Sequence, residues 1–134
     1  AGLRSSGLSA AQRADKKKEA DEEYRQGMKF LQTSLTRWKP DHFSATSYFE
    51  RAARFYRAAD EHAEAKNAYL AAAESFREAE NFGSSARNYA LAAGVAEGLG
   101  DDREASSLYR EAAMSAHMTA AKLERPEPYL MKAA

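Results

Sequence analysis

The apolar residues of this chain recur in a fixed pattern: an aromatic side chain, two variable positions and then two alanines. Four copies of the pattern follow one another at intervals of 20 residues, at positions 49–53, 69–73, 89–93 and 109–113. In every copy a small residue stands four positions before the aromatic residue, and another apolar residue stands seven positions after it. This spacing places the apolar set on one face of an α-helix. Each copy therefore predicts one amphipathic helix.

The polar positions between the copies predict where these helices begin and end. Eight residues before each aromatic residue stand Asp41, Glu61, Asn81 and Asp101, and three of them, all except Glu61, are good N-cap residues. Ser9 and Gln12 have the spacing of a capping box ahead of the first helix, whereas Gly100 is a C-terminal stop signal. The sequence thus predicts five helices, at about residues 10–33, 43–58, 62–79, 84–99 and 103–120, with a turn at residues 81–83.

A unit of one helix and one tight turn predicts antiparallel neighbouring helices. We expect an all-α fold, a tetratricopeptide-like α-solenoid of antiparallel helical hairpins with about five helices and a truncated sixth. Residues 130–134 indicate the sixth helix, because they repeat the core pattern with Leu130 in place of the aromatic residue. A solenoid normally ends on a polar capping repeat, so we expect a fragment of a longer protein. Residues 1–8 are interpreted as a flexible lead-in, and residues 9–134 as the N-terminal part of the helical-repeat domain.

Side chains for catalysis or metal binding do not converge in this pattern. The chain contains no cysteine, which excludes a disulfide framework and a thiolate metal site. Its three histidines fall on separate predicted helices without a metal-ligand partner at helical spacing. Glu61 and His62 are interpreted as a capping pair at a helix start. Since there is also no phosphate-binding loop, the sequence predicts a protein that is not an enzyme and that holds no metal or cofactor.

Charge is unevenly distributed along the chain, although the formal net charge is zero. Residues 1–40 contain 9 basic and 5 acidic side chains, whereas residues 41–134 contain 11 basic and 15 acidic side chains. An anionic partner is therefore expected at the N-terminal end. The imbalance is too mild for a protein that binds duplex DNA. No apolar stretch reaches the roughly 20 residues that span a bilayer.

One segment interrupts the periodic pattern, the loop from Leu35 to Asp41 ahead of the first regular unit. Trp38, the only tryptophan in the chain, stands there between Arg37 and Lys39. One interpretation is an interfacial anchor, with the ring at lipid-headgroup depth and the two cations meeting anionic lipid. The other is a structural cap, with the ring folded over the ends of the first two helices.

The same region carries a family resemblance. Residues 27–42 contain the segment Trp38-Lys39-Pro40-Asp41, followed by Ser-Ala at 44–45, Ala-Ala at 52–53 and Ala-Glu-Ala-Lys at 63–66. In this register the sequence resembles the N-terminal region of the soluble NSF attachment proteins and looks most like the gamma type. The similarity covers roughly residues 20–115, and the Trp-Lys-Pro-Asp segment is its most specific part.

The resemblance implies a non-enzymatic adaptor for the disassembly of SNARE complexes in vesicle trafficking and membrane fusion. Members of this family lay an α-solenoid along the SNARE four-helix bundle and recruit the ATPase NSF through a C-terminal region that this sequence does not include. A cytoplasmic protein with peripheral membrane association is implied, with the membrane-contact loop formed by Leu35, Arg37, Trp38 and Lys39. Since the SNARE bundle is acidic, basic residues of alternate helices form the implied SNARE-binding face: Lys29, Lys66, Arg103 and Arg110.

Two other functions stay open from the sequence. A generic tetratricopeptide-like scaffold would hold an extended peptide in its groove and would be indifferent to lipid vesicles. An RNA-binding helical repeat would need base-reading side chains at one periodic position. The position at 47, 67, 87 and 107 carries Ser, Asn, Arg and Ser, a weak indication, and no nucleic-acid partner is predicted.

Overall fold

The computed structural model describes residues 3–124, and every regular element in that range is an α-helix. The prediction of an all-α fold is thereby confirmed. The predicted sixth helix at residues 130–134 lies outside the described residues, as do the first two residues of the lead-in. The described part of the chain contains five helices: α1 (Ala10–Leu31), α2 (His42–Ala58), α3 (His62–Glu78), α4 (Phe82–Gly98) and α5 (Asp102–Glu124).

The 20-residue period arises from a helix of 17 residues followed by a turn of three. In the first turn, the amide of Asp60 donates to the carbonyl oxygen of Arg57 at 3.0 Å, and the amide of Glu61 donates to that of Tyr56 at 2.9 Å. This is a Schellman motif, which requires a left-handed residue after the helix. Asp60, Glu80 and Gly100 occupy that position in the three turns, with φ of 58°, 61° and 85°. The residue after the left-handed one directly precedes the following helix, so each turn has the same length of three residues.

Side-chain capping at the helix N-termini follows the prediction at four of five sites. Asp41, Asn81 and Asp101 each accept a hydrogen bond from the backbone amide three residues later, at 3.0, 3.3 and 3.0 Å. Ser9 and Gln12 form the predicted capping box. The interpretation of Glu61 with His62 as a capping pair is wrong, because the side chain of Glu61 makes no capping bond. Its carboxylate lies 3.8 Å from the Lys17 ammonium group instead. Residues 82 and 83, predicted as part of a turn, belong to the first turn of α4.

The capping difference leads to a paired prediction. Asn81→Ala is expected to lower the free energy of unfolding by about 1 kcal/mol, because it removes the acceptor for an otherwise unpaired helix amide. Glu61→Ala is expected to change it by less than about 0.5 kcal/mol, since it removes only an exposed ion pair. Urea unfolding followed by circular dichroism measures both values. Equal losses would contradict the assignment of the caps.

The core is built from the aromatic residues of the pattern and the alanine pairs that follow them. In the first three copies both alanines are fully buried, and Phe49, Tyr69 and Tyr89 are at most 4% exposed. Each of these helices packs against the helix before it and the helix after it. Tyr109 in the fourth copy is 43% exposed, because no helix follows α5 within residues 3–124. The pattern therefore specifies a packing face, and the next helix determines whether that face is buried.

Contacts between the helices define two layers. Tyr24 and Phe49 pair across α1 and α2 with ring centroids 5.3 Å apart, and Tyr56, two turns later in α2, donates to Asp21, earlier in α1. These two helices are therefore antiparallel. Ion pairs then join alternate helices: Lys66 with Glu104 and Arg77 with Glu111 across α3 and α5, and Arg87 with Glu50 across α2 and α4. Consequently α3 and α5 lie side by side in one layer, and α2 and α4 in the other.

Residues 3–8 lie against the helices. The amide of Ser6 donates to the Asp60 carboxylate at 2.9 Å, and these hydrogen bonds lower the pKa of Asp60. Leu3 packs on Gly98, where a β-carbon would lie 2.6 Å from a leucine methyl group. Asp60 stands in a left-handed turn, and its carboxylate accepts hydrogen bonds from Ser5 and Ser6. Such a pairing over 54 residues leaves no periodic signal in the sequence.

Candidate membrane-contact loop and charged faces

The loop between α1 and α2 has a defined backbone path. The amide of Asp41 donates to the carbonyl oxygen of Phe30 at 2.8 Å, which closes the loop at its base. The guanidinium of Arg37 donates to the carbonyl oxygens of Lys29 and Phe30, both at 3.4 Å, where the last turn of α1 leaves acceptors unpaired. The amide of Arg37 also donates to the hydroxyl of Ser34 at 3.1 Å. The loop therefore presents its side chains from a fixed base.

Three large apolar side chains project from this loop and from the start of α2. Leu35 is fully exposed, Trp38 is 76% exposed and Phe43 is 81% exposed. The ammonium group of Lys39 lies 4.6 Å from the centroid of the Trp38 ring, a cation–π contact at the surface. Because the Trp38 ring is exposed, it does not cover the ends of α1 and α2. The structural-cap interpretation of Trp38 is therefore wrong, and the four predicted loop residues do lie together.

Phe43 was not among the predicted loop residues, although a signal for it exists in the sequence. The corresponding positions of the next three units carry Ala63, Gly83 and Arg103, so this position does not belong to the periodic apolar set. A phenylalanine there has no core to enter, and it points away from the helices at the end that carries Trp38. The sequence could have indicated an exposed Phe43, because the other units carry a small or polar residue at this position.

The four predicted SNARE-binding cations have different environments. The ammonium group of Lys66 lies 2.8 Å from the Glu104 carboxylate, and its side chain is only 16% exposed. Its charge is therefore already compensated within the protein. Lys29, Arg103 and Arg110 are exposed and form no ion pair with another residue of the range 3–124. Arg103 and Arg110 are seven residues apart, so they share one face of α5.

A groove runs between α3 and α5. Leu70, Tyr89 and Leu108 contribute apolar surface to it, and Glu74 and Glu78 stand at its α3 side. The guanidinium of Arg77 lies 2.6 Å from Glu111 of α5 and 4.9 Å from the Tyr89 ring centroid. The hydrogen bond to Glu111 raises the pKa of Arg77. Burial raises the pKa of Tyr89, which therefore stays neutral beneath this ion pair.

Two of the three histidines contact polar side chains. His42 Nδ1 lies 3.1 Å from the Ser75 hydroxyl, and His62 lies 4.0 Å from the Asp60 carboxylate. Among residues 3–124, no three histidine or carboxylate side chains are grouped as metal ligands would be. In that same range, none of the helices has both the length and the apolar character that crossing a bilayer requires.

No protein-family model matches the sequence, and no curated protein matches it. The resemblance carried by residues 27–42 is therefore an interpretation of the sequence itself. A function can be proposed from that segment together with the geometry of the loop and of the charged faces.

Proposed function

We propose that this chain is a non-enzymatic adaptor of the SNAP type, the N-terminal part of a tetratricopeptide-like α-solenoid. In this proposal the full-length protein binds the SNARE four-helix bundle and recruits the ATPase NSF through a C-terminal region, so that SNARE complexes are disassembled in vesicle trafficking. The protein would be cytoplasmic and peripherally associated with membranes. The repeat architecture supports the proposal, because helices in sequence pack on one another and alternate helices are joined by ion pairs.

The observation that carries the proposal is the loop at the end of α1. It exposes Leu35 and Trp38 beside the cations Arg37 and Lys39, and Phe43 extends the same apolar surface. Large exposed apolar side chains are unfavourable in water unless they meet another apolar phase. Tryptophan prefers the headgroup region of a bilayer, and each adjacent cation contributes about 1 kcal/mol near anionic lipid. A shallow contact with an anionic membrane surface satisfies both sets of side chains.

A flotation experiment tests this contact. Trp38→Ala is expected to reduce the fraction of protein that floats with phosphatidylserine-containing vesicles several-fold, since it removes the largest apolar side chain of the loop. Helical content and melting temperature are expected to stay unchanged, because the ring is 76% exposed. Leu99→Ala is the matched control, since Leu99 is an exposed apolar residue in a turn at the opposite end of the helices. If the two variants lose flotation equally, or if Trp38→Ala lowers the melting temperature, the loop is not the membrane contact.

Binding to an assembled SNARE bundle is the second part of the proposal. The exposed cations Lys29, Arg103 and Arg110 are available to an acidic partner, whereas Lys66 is already paired with Glu104. Retention of the protein on an immobilised SNARE bundle is expected at low salt and is expected to fall at high salt, because exposed charges are screened. Retention that is absent at low salt, or equal at both salt concentrations, would remove the support for a SNARE adaptor.

A peptide-binding scaffold is the alternative function, and the groove between α3 and α5 favours it. The groove combines apolar surface with side chains of both charges, as peptide sites on helical repeats do. This alternative predicts binding of an extended peptide and no flotation with anionic vesicles. Flotation of the unmodified protein therefore tests the membrane contact, and binding of an extended peptide tests this alternative.

A further inference from the structure

The groove between α3 and α5 has an apolar base. Leu70 from α3, Tyr89 from α4 and Leu108 from α5 all line it. Leu108 and Tyr89 are almost completely buried, while Leu70 remains partly accessible. A ligand in the groove would therefore gain contact with Leu70 and with the edges of the deeper side chains. Apolar burial of this kind contributes about 25 cal/mol for each Å² removed from water.

The charge of the groove is negative. Glu74 and Glu78 are exposed, lie one turn apart on α3 and form no ion pair with any residue from 3 to 124. Arg77, Glu111 and His42 also line the groove. Arg77 and Glu111 pair with each other at 2.6 Å, and His42 Nδ1 lies 3.1 Å from the Ser75 hydroxyl. Glu74 and Glu78 are therefore left without an ion-pair partner among residues 3–124, and their separation on the helix suits two basic groups of one ligand.

The field of Glu74 extends beyond its own helix. Burial raises the pKa of Tyr24 in α1, and the Glu74 carboxylate raises it further. Burial likewise raises the pKa of Tyr89 in α4, where Glu74 acts in the same direction. The Glu74 carboxylate therefore acts on side chains of α1 and α4 as well as on its own helix.

Two exposed methionines follow Glu111 along α5. Met114 and Met118 stand three and seven residues after Glu111, so all three share one face of α5. Both methionines are exposed, at 61% and 47%. Methionine side chains adapt to irregular apolar partners. This face of α5 therefore carries exposed apolar side chains beyond Glu111, which lines the groove.

We propose that this groove binds a basic peptide segment in which lysine or arginine residues alternate with apolar residues. The basic groups pair with Glu74 and Glu78, and the apolar side chains cover Leu70 and the methionines of α5. Charge complementarity selects this ligand, because the two uncompensated carboxylates repel the phosphates of nucleic acids and anionic lipid. This proposal rests on the peptide-binding alternative given above and specifies its ligand, at a site separate from the loop at Trp38.

Fluorescence anisotropy with two labelled peptides tests the proposal. The first is a 12-residue peptide of alternating leucine and lysine, and the second replaces each lysine by glutamate. The protein is expected to bind the lysine peptide at least about tenfold more tightly than the glutamate peptide, as for a desolvated charge pair. The double variant Glu74→Gln with Glu78→Gln is expected to lose at least about tenfold in affinity for the lysine peptide.

A matched variant controls for net charge. Asp15→Asn with Glu97→Gln makes the same change of charge on α1 and α4, away from the groove, and its affinity is expected to stay within about twofold of the unmodified protein. Circular dichroism checks that both double variants retain their helices. Equal affinity for the two peptides overturns the proposal without any variant. Equal losses in the two double variants overturn it as well, because they would show a response to overall charge.

Discussion

Phe49→Ala is expected to lower the free energy of unfolding by about 3–5 kcal/mol, the usual cost of removing a buried phenylalanine ring. Phe49 is completely buried and shares its cluster with Ala45 of α2 and Ala72 of α3. Its ring also meets Tyr24 of α1 at 5.3 Å between centroids. The ring therefore joins three helices, and its removal leaves a cavity that alanine neighbours cannot fill. Urea unfolding followed by circular dichroism measures the loss.

Phe43→Ala is the control for this prediction. Phe43 stands on the same helix, six residues earlier, but it is 81% exposed. Its replacement is expected to change the free energy of unfolding by less than about 0.5 kcal/mol, as for a surface position. A domain of this size has about 5–15 kcal/mol of total stability, so only Phe49→Ala removes a large share. Comparable losses for the two phenylalanines would contradict the described packing of α2.

The helices were predictable because the repeat encodes local structure. A Schellman turn needs one left-handed residue, and an N-cap needs one short polar residue, so both leave a mark at a fixed position in each unit. Asn81 shows this, since its position predicts the start of α4 within a residue or two and its side chain caps that helix. Glu61 shows the limit, because its longer side chain stands at the same position and turns to Lys17.

Features that depend on contacts between distant residues could not be predicted in the same way. Lys66 was expected to face an acidic partner, but a carboxylate 38 residues later lies 2.8 Å from it. That pairing depends on the register between α3 and α5, which the spacing within one helix does not specify. The negative groove has the same origin, because its carboxylates become uncompensated only when Glu111 pairs with Arg77.

The loop at Trp38 was predictable in composition but not in exposure. The sequence places an aromatic ring between two cations, and either a membrane anchor or a structural cap accounts for those residues. The path of the backbone excludes the structural cap, because Arg37 binds the end of α1 while Trp38 is exposed. Phe43, in the first turn of α2, is exposed as well.

Gly27→Val is expected to lower the free energy of unfolding by about 3 kcal/mol, at the upper end of the usual cost of overpacking. Gly27 is buried in α1, and a β-carbon at this position would lie 2.7 Å from Cε1 of Phe49 and 2.9 Å from its Cδ1. The ring cannot move aside, because Tyr24 and Ala72 hold it from other directions. Valine adds two further methyl groups at the same place, so α1 must shift away from α2. Thermal unfolding followed by circular dichroism measures the loss.

Gly94→Val separates this steric cost from the effect of glycine on the helix itself. Gly94 lies inside α4, and a β-carbon there would meet no atom within 4 Å. Valine has a somewhat higher helix propensity than glycine, so this variant is expected to gain up to about 0.5 kcal/mol. The two substitutions thus change stability in opposite directions although their chemistry is identical. A loss at Gly94 as large as that at Gly27 would indicate a general intolerance of valine in these helices, and close contact between α1 and Phe49 would no longer explain the result.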